Sequence, residues 1–152
     1  MTRVLVVDDD APIRLLCRVN LETEGMEVLE AEDGQEGLEK ARSVRPDVVL
    51  LDVMLPQLDG WRVAEALLAD PRTDQIPIVF LTARAELRDR ARGLEIGGVD
   101  YITKPFNPVE LADSIRGLLD RVERGEQDEL RREKLERLHR LVNGDSGSPD
   151  GS

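Results

Sequence analysis

The stretch DVVLLDVMLPQLDG, from Asp47 to Gly60, decides how this chain folds. It begins with an apolar run that ends in an acid, Asp52. A run this short and this apolar is typical of a strand covered on both faces, as in the middle of a parallel sheet. The Asp59-Gly60 pair that closes the stretch indicates a turn leading into a helix. The stretch therefore predicts a buried strand, a loop and a helix, in that order.

The same unit, a short apolar run followed by a helical pattern, recurs along the chain. Strands are predicted at 3–8, 27–31, 47–52, 76–81 and 99–103, and helices near 12–24, 34–44, 60–68, 86–96 and 108–122. Strands that alternate with helices pair in parallel through right-handed crossovers. The second strand alternates polar and apolar residues, which favours an edge position. We therefore predict an α/β fold: a (βα)5, doubly wound, flavodoxin-like sheet in the order 2-1-3-4-5.

The chain after residue 122 has a different composition. Residues 123–142 are rich in helix formers and mixed charges, which predicts a charged helical extension with a possible kink at Gly125. Leu130, Leu138 and Leu141 could share one stripe of that helix. We interpret its charges as a solvated helix surface, with an oligomerisation or partner surface as the alternative. Residues 143–152 are expected to be disordered. We therefore predict one domain over 1–122, and the extension is too short to add a DNA-binding output domain.

Composition excludes several function classes. The formal net charge of −11 argues against nucleic acid as a partner and against binding to anionic membranes. Cys17 is the only cysteine, which rules out an intramolecular disulfide and fits a reducing compartment. The apolar residues Val4 to Val7 run straight into three acids, so no secretory signal is expected. We therefore expect a cytoplasmic protein.

Polar residues stand where the predicted strands end. Asp8 and Asp9 follow the first strand, Asp52 ends the third, Thr82 follows the fourth and Lys104 follows the fifth. In a parallel doubly wound sheet these ends lie at one edge, where ligands bind. Residues far apart in the sequence are therefore expected to meet in one crevice, and this convergence is more specific than any local motif.

Carboxylates that meet in a crevice need neutralisation. A close pair of unit charges repels by roughly 4 kcal/mol at a surface-like dielectric. Protonation could relieve this repulsion, and so could Mg²⁺, which prefers a few carboxylate oxygens together with water and phosphate oxygens. With a cation, Asp52 would remain ionised and could act as a nucleophile towards a phosphoryl group. Lys104 would then neutralise charge on the phosphoryl oxygens and Thr82 would donate a hydrogen bond.

With these residues assembled, the chain resembles the receiver domain of two-component response regulators over residues 2–122. Four motifs carry the resemblance: VVDDD (Val6 to Asp10), LLDVMLPQLDG (Leu50 to Gly60), FLTA (Phe80 to Ala83) and DYITKPF (Asp100 to Phe106). Their order, spacing and strand context agree together.

The resemblance implies a phosphorelay function. Asp52 would accept a phosphoryl group from a sensor histidine kinase or a phosphotransfer protein, catalyse its own phosphorylation and slowly lose the phosphoryl group again. Mg²⁺ would be held by Asp8, Asp9 and Asp52, together with the backbone carbonyl of Met54. The side chains of Met54 and Arg84 would shape water access to the phosphoryl group.

The resemblance also implies a switch. Lys104 would contact a phosphoryl oxygen, and a cis peptide bond between Lys104 and Pro105 would aim its side chain. Thr82 would move towards the phosphoryl group and Tyr101 would swing inward with it. This movement would alter the face formed by helix 4, strand 5 and helix 5, which would bind a downstream protein that the sequence does not identify. A homodimer could form through that face or through the C-terminal helix.

Two other functions remain open at this point. A phosphohydrolase of the haloacid dehalogenase type also uses an aspartate nucleophile and Mg²⁺, but it generally needs a second acid two residues later, where this chain has Met54. A receiver-like scaffold could instead act without phosphate through its tail, although such proteins usually lack one of the active groups.

Overall fold

The computed structural model describes residues 1–83 and 87–142. The strands are β1 (Arg3–Val7), β2 (Glu27–Ala31), β3 (Val48–Asp52), β4 (Ile78–Ala83) and β5 (Asp100–Lys104). The helices are α1 (Ala11–Thr23), α2 (Gly34–Val44), α3 (Gly60–Ala69), α4 (Leu87–Ile96), α5 (Pro108–Glu123) and α6 (Gln127–Val142). The predicted helix 86–96 begins at Glu86, which lies outside the described residues, as does the predicted disordered tail 143–152.

The strands form one parallel sheet in the order β2-β1-β3-β4-β5, so the predicted fold class and topology are confirmed. β2 lies at an edge, as its alternating pattern predicts. The predicted fourth strand was placed two residues too early, because β4 begins after Pro77, which has no N–H to donate. As a result Thr82 lies inside the strand and pairs with Thr103 on β5.

Two large hydrophobic core clusters lie one on each face of the sheet, and a smaller cluster lies between α4 and α6. Val4 and Val6 of β1 face the cluster that includes residues of α1 and α5, whereas Leu5 and Val7 face the cluster that includes residues of α2 and α3. This alternation follows from the two-residue period of a strand. Both faces are covered, which explains why the central strands are apolar throughout. None of the helices within the described ranges is long and apolar enough to cross a membrane.

The C-terminal extension is a separate helix rather than a kinked continuation of α5. Gly125 has a positive φ of 78°, which breaks the helix between Glu123 and Gln127. α6 then packs against α4 and β5, and Leu138 on it is completely buried. The interpretation of a solvated helix is therefore wrong on this side of α6. The prediction that Leu141 shares one apolar stripe with Leu130 and Leu138 is also wrong, since Leu141 lies one turn beyond Leu138 and is 56% exposed. Helical periodicity does not reveal where a neighbouring helix ends.

Candidate functional site

The carboxyl edge of the sheet brings the predicted site residues together. Asp8 directly follows β1, Asp52 ends β3 and Lys104 ends β5. Asp52 pairs with Leu81 on β4, so Thr82 lies one residue beyond it along the neighbouring strand. The parallel register therefore places an acid, a hydroxyl and an ammonium group side by side on adjacent strands.

Lys104 bridges the two buried acids of the site. Its Nζ lies 2.7 Å from Oδ2 of Asp8 and 3.4 Å from Oδ2 of Asp52. Burial alone would lower the pKa of Lys104, but the hydrogen bond to Asp8 and the charges of both acids outweigh it and raise that pKa. Lys104 therefore remains charged and supplies the positive charge that two buried carboxylates require.

The surroundings of Asp52 hold its carboxyl group at a higher pKa than usual. Burial is the largest cause, and the negative charge of Asp8 acts in the same direction. A hydrogen bond from the backbone N–H of Met54, 3.1 Å from Oδ1, and the charge of Lys104 oppose this shift without cancelling it. One ammonium group thus leaves the site short of positive charge, which favours the binding of a cation.

Backbone groups orient the two buried acids. Oδ1 of Asp8 accepts a hydrogen bond from the N–H of Asp10 at 2.9 Å, and the carbonyl oxygen of Asp8 accepts one from Arg14 at 2.6 Å. The sequence analysis did not identify Arg14. Its position one turn into α1, after the acids, was the available signal. With these contacts Asp8 is held in place and its other oxygen faces Lys104.

Gly60 allows α3 to begin directly beside the acceptor strand. A Cβ at this position would collide with the carbonyl oxygen of Asp52 and lie 2.6 Å from Cα of Val53. The N–H of Gly60 donates a hydrogen bond to the carbonyl of Val53 at 3.2 Å. The Asp59-Gly60 pair therefore closes the loop by a close backbone approach, and Asp59 caps α3 by accepting a hydrogen bond from Arg62 N–H at 3.0 Å.

Three acids at this edge fit a hard divalent cation. Asp8, Asp9 and Asp52 each offer a carboxylate oxygen, and these oxygens lie within 4.8 Å of one another. An all-oxygen donor set of this kind suits Mg²⁺, Ca²⁺ or Mn²⁺ rather than a softer metal. Asp9 is exposed while the other two acids are buried. A cation could therefore keep some water ligands on the Asp9 side. The backbone carbonyl of Met54 stays a predicted ligand.

The hydroxyl of Thr82 is a buried polar group whose Oγ1 has no hydrogen-bond partner within the described part of the chain. A buried hydroxyl without a partner is costly and uncommon. Since Thr82 adjoins Asp52 across the sheet, an acceptor bound at Asp52 would relieve this cost.

Tyr101 lies farther from the acids than the other predicted residues along β5. It pairs with Phe80 and precedes Lys104 by three residues. Its ring packs against the core cluster of the α2–α3 face and against a second cluster formed by Ala91, Leu94 and Leu138. The Lys104–Pro105 peptide bond is cis, as the resemblance implied.

The two side chains expected to control water access are placed differently. The side chain of Met54 is beside the acceptor and largely exposed, and Arg84 lies outside the described residues. The sequence analysis also missed Arg131 and Lys134 of α6, which contact the end of α4 and the start of β5.

Comparison with known proteins identifies the family. The family model described as "Response regulator receiver domain" matches residues 4–116. The PhoP alkaline phosphatase synthesis regulator of Bacillus subtilis is 45% identical over 121 residues, which are 80% of this chain and 50% of that protein. The DNA-binding transcriptional regulator RpaA of Synechocystis is 42% identical over 124 residues, which are 82% of this chain and 52% of that protein. The chain thus spans about half the length of these curated relatives.

The solved structures agree with the sequence match. A CheY-like receiver domain protein from Methanospirillum hungatei superimposes with a TM-score of 0.75 at 32% identity, covering 82% of this chain and 98% of that one. Family membership explains why an acid, a hydroxyl and a lysine meet at one sheet edge. The chain belongs to the response regulator receiver domain family.

Proposed function

We propose that Asp52 is the phosphoryl acceptor of this receiver domain, with the phosphohistidine of a sensor histidine kinase or phosphotransfer protein as donor. One observation carries the proposal: the buried carboxylate of Asp52 lies between a bridging ammonium group, a cluster of acids and the unpartnered hydroxyl of Thr82. Phosphoryl transfer to a carboxylate needs a nucleophile, positive charge and a hydrogen-bond donor in this kind of arrangement.

The chain's own residues perform most of the transfer. An oxygen of Asp52 attacks phosphorus in line with the bond to the donor nitrogen; the O–P bond forms as the N–P bond breaks, and the electron pair stays on the imidazole. Lys104, whose Nζ lies 3.4 Å from Oδ2 of Asp52, is close enough to contact a phosphoryl oxygen. Thr82 donates its hydroxyl to another phosphoryl oxygen, which gives its buried Oγ1 a partner.

The acids prepare the site for this step. Asp8, Asp9 and Asp52, with the backbone carbonyl of Met54, would hold Mg²⁺, which would supply positive charge to the phosphoryl oxygens. Arg14 and the N–H of Asp10 hold Asp8 in position throughout.

An apolar patch beside the site supports a protein as the phosphoryl donor. α1 begins three residues after Asp8, and it exposes Leu15, Leu16 and Val19 to solvent, with exposures of 59%, 43% and 53%. Grouped apolar side chains of this size on a soluble surface are typical of a binding site. We propose that a helix of the donor protein packs on this patch and presents its phosphohistidine to Asp52.

We propose that the receiver passes its signal on by protein contact through the face formed by α4, β5 and α5. The net charge of −11 does not suit contact with nucleic acid by this segment itself. The curated relatives are named as transcriptional regulators and are about twice as long as the matched segment, so DNA binding belongs to what those proteins do as a whole. A cytoplasmic location fits Cys17, which is a buried free thiol.

Phosphorylation by a small donor tests the acceptor. The wild-type chain, incubated with Mg²⁺ and acetyl phosphate, is expected to gain the mass of one phosphoryl group in intact-mass spectrometry. Asp52→Asn should abolish the gain, and the matched control Asp113→Asn, which changes an exposed acid on α5, should leave it intact. Equal labelling of Asp52→Asn would overturn the proposal.

The same assay separates the alternatives. Sustained release of inorganic phosphate over many turnovers would indicate a phosphohydrolase. Identical capture of the downstream partner by the wild type and Asp52→Asn, with and without acetyl phosphate, would indicate a scaffold that works without phosphate.

A further inference from the structure

α6 covers one side of the face through which we propose the signal leaves. Leu138 has no exposed surface and forms a cluster with Ala91 and Leu94 of α4. Leu135 and Tyr101 pack against the same cluster. A helix with many charged residues thus packs Leu135 and Leu138 on α4 and β5, which is specific packing rather than a solvated surface.

Polar contacts fix the position of α6 on this face. The guanidinium of Arg131 donates to the carbonyl oxygens of Gly98 and Gly97, each at 2.9 Å. These carbonyls follow the C-terminus of α4, where backbone acceptors have no partner within the helix. One guanidinium that reaches two such carbonyls determines both the position and the direction of α6.

Lys134 completes the contact at the start of β5. Its Nζ lies 3.5 Å from Oδ1 of Asp100 and 6.0 Å from the centre of the Tyr101 ring. A cation at this distance over an aromatic face is attracted to it. α6 therefore stabilises Tyr101 in the position that the ring has here.

Tyr101 also contacts the interior beneath the acceptor site. It packs against the core cluster that contains Leu51 and Phe80. Leu51 directly precedes Asp52 on β3, and Phe80 lies two residues before Thr82 on β4. The same ring therefore contacts both the core cluster that includes the acceptor strand β3 and the side of α6 that faces α4. A movement of the ring towards Thr82 would remove it from Lys134 and from the Leu138 cluster.

We propose that α6 is a built-in cover of the α4–β5 face and that its docking opposes phosphorylation of Asp52 through Tyr101. This inference rests on the proposed function and on the inward movement of Thr82 and Tyr101 that the resemblance to receiver domains implies. Docked α6 favours the present position of Tyr101, whereas phosphorylation favours the inward one. Coupling between two sites is reciprocal. If phosphorylation weakens the docking of α6 by a certain factor, release of α6 must strengthen phosphoryl binding by the same factor.

The start of α6 remains tethered when its later turns are released. Leu130 is buried in the core cluster of the α1–α5 face, and Arg121 of α5 forms an ion pair with Glu126, just before α6, at 2.9 Å. A short tether keeps the local concentration of the helix high. α6 would therefore cover the face again once the phosphoryl group is lost, and a partner protein would compete with it only in the phosphorylated state.

The binding of beryllofluoride, a stable phosphoryl mimic, tests the coupling in the full chain. Calorimetric titration in Mg²⁺ compares the wild type with Leu138→Ala and with Leu141→Ala, a matched change at an exposed position of the same helix. Leu138→Ala should lower the dissociation constant about fivefold or more, in the usual range of coupling between sites. Leu141→Ala should match the wild type.

A second variant separates the loss of docking from a folding defect that Leu138→Ala could cause. Arg131→Ala removes the two partly buried hydrogen bonds to the carbonyls of Gly97 and Gly98 but no apolar side chain of the core, and it should also tighten beryllofluoride binding. In wild-type protein, amide hydrogen exchange over 131–141 should become faster when beryllofluoride is bound.

The possible failures can be told apart. Equal or weaker binding by Leu138→Ala and Arg131→Ala, with unchanged exchange in α6, would overturn the cover while leaving Asp52 as the acceptor. If beryllofluoride binds to none of the proteins, both the cover and the proposed function are wrong.

Discussion

The two ends of β5 lie in different electrostatic surroundings. At the C-terminal end, Lys104 contacts two buried acids, Asp8 and Asp52, and Asp9 lies close by. The pKa of Asp52 is raised there because burial and the charge of Asp8 outweigh the positive charge of Lys104. At the N-terminal end, Lys134 is paired with Asp100, and Tyr101 is packed between α4, α6 and the core. At the first end two buried acids share one ammonium group, whereas at the other end Asp100 has the ammonium of Lys134 to itself, although burial still raises the pKa of Asp100.

This difference separates a binding site from a docked surface. A buried group without a partner in the described part of the chain, such as the hydroxyl of Thr82, gains most when a ligand arrives. Groups that are already satisfied, such as the carbonyls beneath Arg131, must lose a contact before anything else can bind there. We therefore expect changes at the site end of β5 to alter the chemistry directly, and changes at the α6 end to alter stability and, through the docking of α6, phosphoryl binding.

The largest effect is expected at the site end of β5. Lys104→Arg keeps the charge, but a planar guanidinium is bulkier than the ammonium that fits 2.7 Å from Asp8 and 3.4 Å from Asp52. The rate of phosphorylation by acetyl phosphate should fall by about 10²-fold, the loss typical for removal of one positioned donor from a developing anion. Lys134→Arg, at the other end of the strand, serves as the control and should leave the rate nearly unchanged. Comparable loss in both variants would remove the distinction between the two ends.

The next effect concerns stability at the α6 end. Leu138→Ala should reduce the free energy of unfolding by about 2 kcal/mol or more, because it leaves a cavity at a fully buried position. Leu141→Ala on the same helix should change it by no more than about 0.5 kcal/mol. Urea denaturation followed by circular dichroism measures both. A small loss for Leu138→Ala would mean that α6 is only loosely attached.

The smallest effect is a gain in stability from removal of the acceptor charge. The pKa of Asp52 is raised in the folded chain, so the folded state holds this proton more tightly than the unfolded state. Stability therefore falls as pH rises from about 4, where the unfolded carboxyl titrates, through the raised folded pKa. Asp52→Asn lacks this loss and should be more stable than the wild type at neutral pH.

The pH profile provides the test of that gain. Urea denaturation in the presence of a chelator should give an advantage for Asp52→Asn that is present at pH 7 and shrinks towards about pH 4. Asp113→Asn removes a highly exposed acid and should give no such profile. An advantage that does not vary with pH would show that the charge of Asp52 is not its cause.

The site was predictable residue by residue because topology alone brings it together. In a parallel sheet every strand ends at the same edge, so Asp8, Asp52 and Lys104 had to meet once the strands were recognised. Thr82 was assigned to the position after its strand and lies within it, a shift of the strand boundary that still leaves it next to Asp52. Arg14 was missed because a helical arginine near acids is usually a surface residue.

The docking of α6 could not be derived in the same way. Gly125 indicated a break, and Leu130 and Leu138 indicated an apolar side, but Leu141 lies at a similar angle around the helix and is exposed. Which leucine is buried depends on the length and position of α4. Arg131 likewise has no sequence signal for the two carbonyls it contacts, which belong to residues more than thirty positions earlier.

Sequence patterns were sufficient to predict the strand order, the position of the acids and the lysine at the carboxyl edge, and the family. These follow from local patterns, since a strand's period and its end residues are properties of neighbouring positions in the chain. Three features became visible only in the folded structure: α6 packs on α4 and β5, Tyr101 lies between α6 and the core, and the Thr82 hydroxyl has no hydrogen-bond partner among residues 1–83 and 87–142. The physical reason is that each of these depends on which surfaces are complementary in shape and polarity after the sheet has formed.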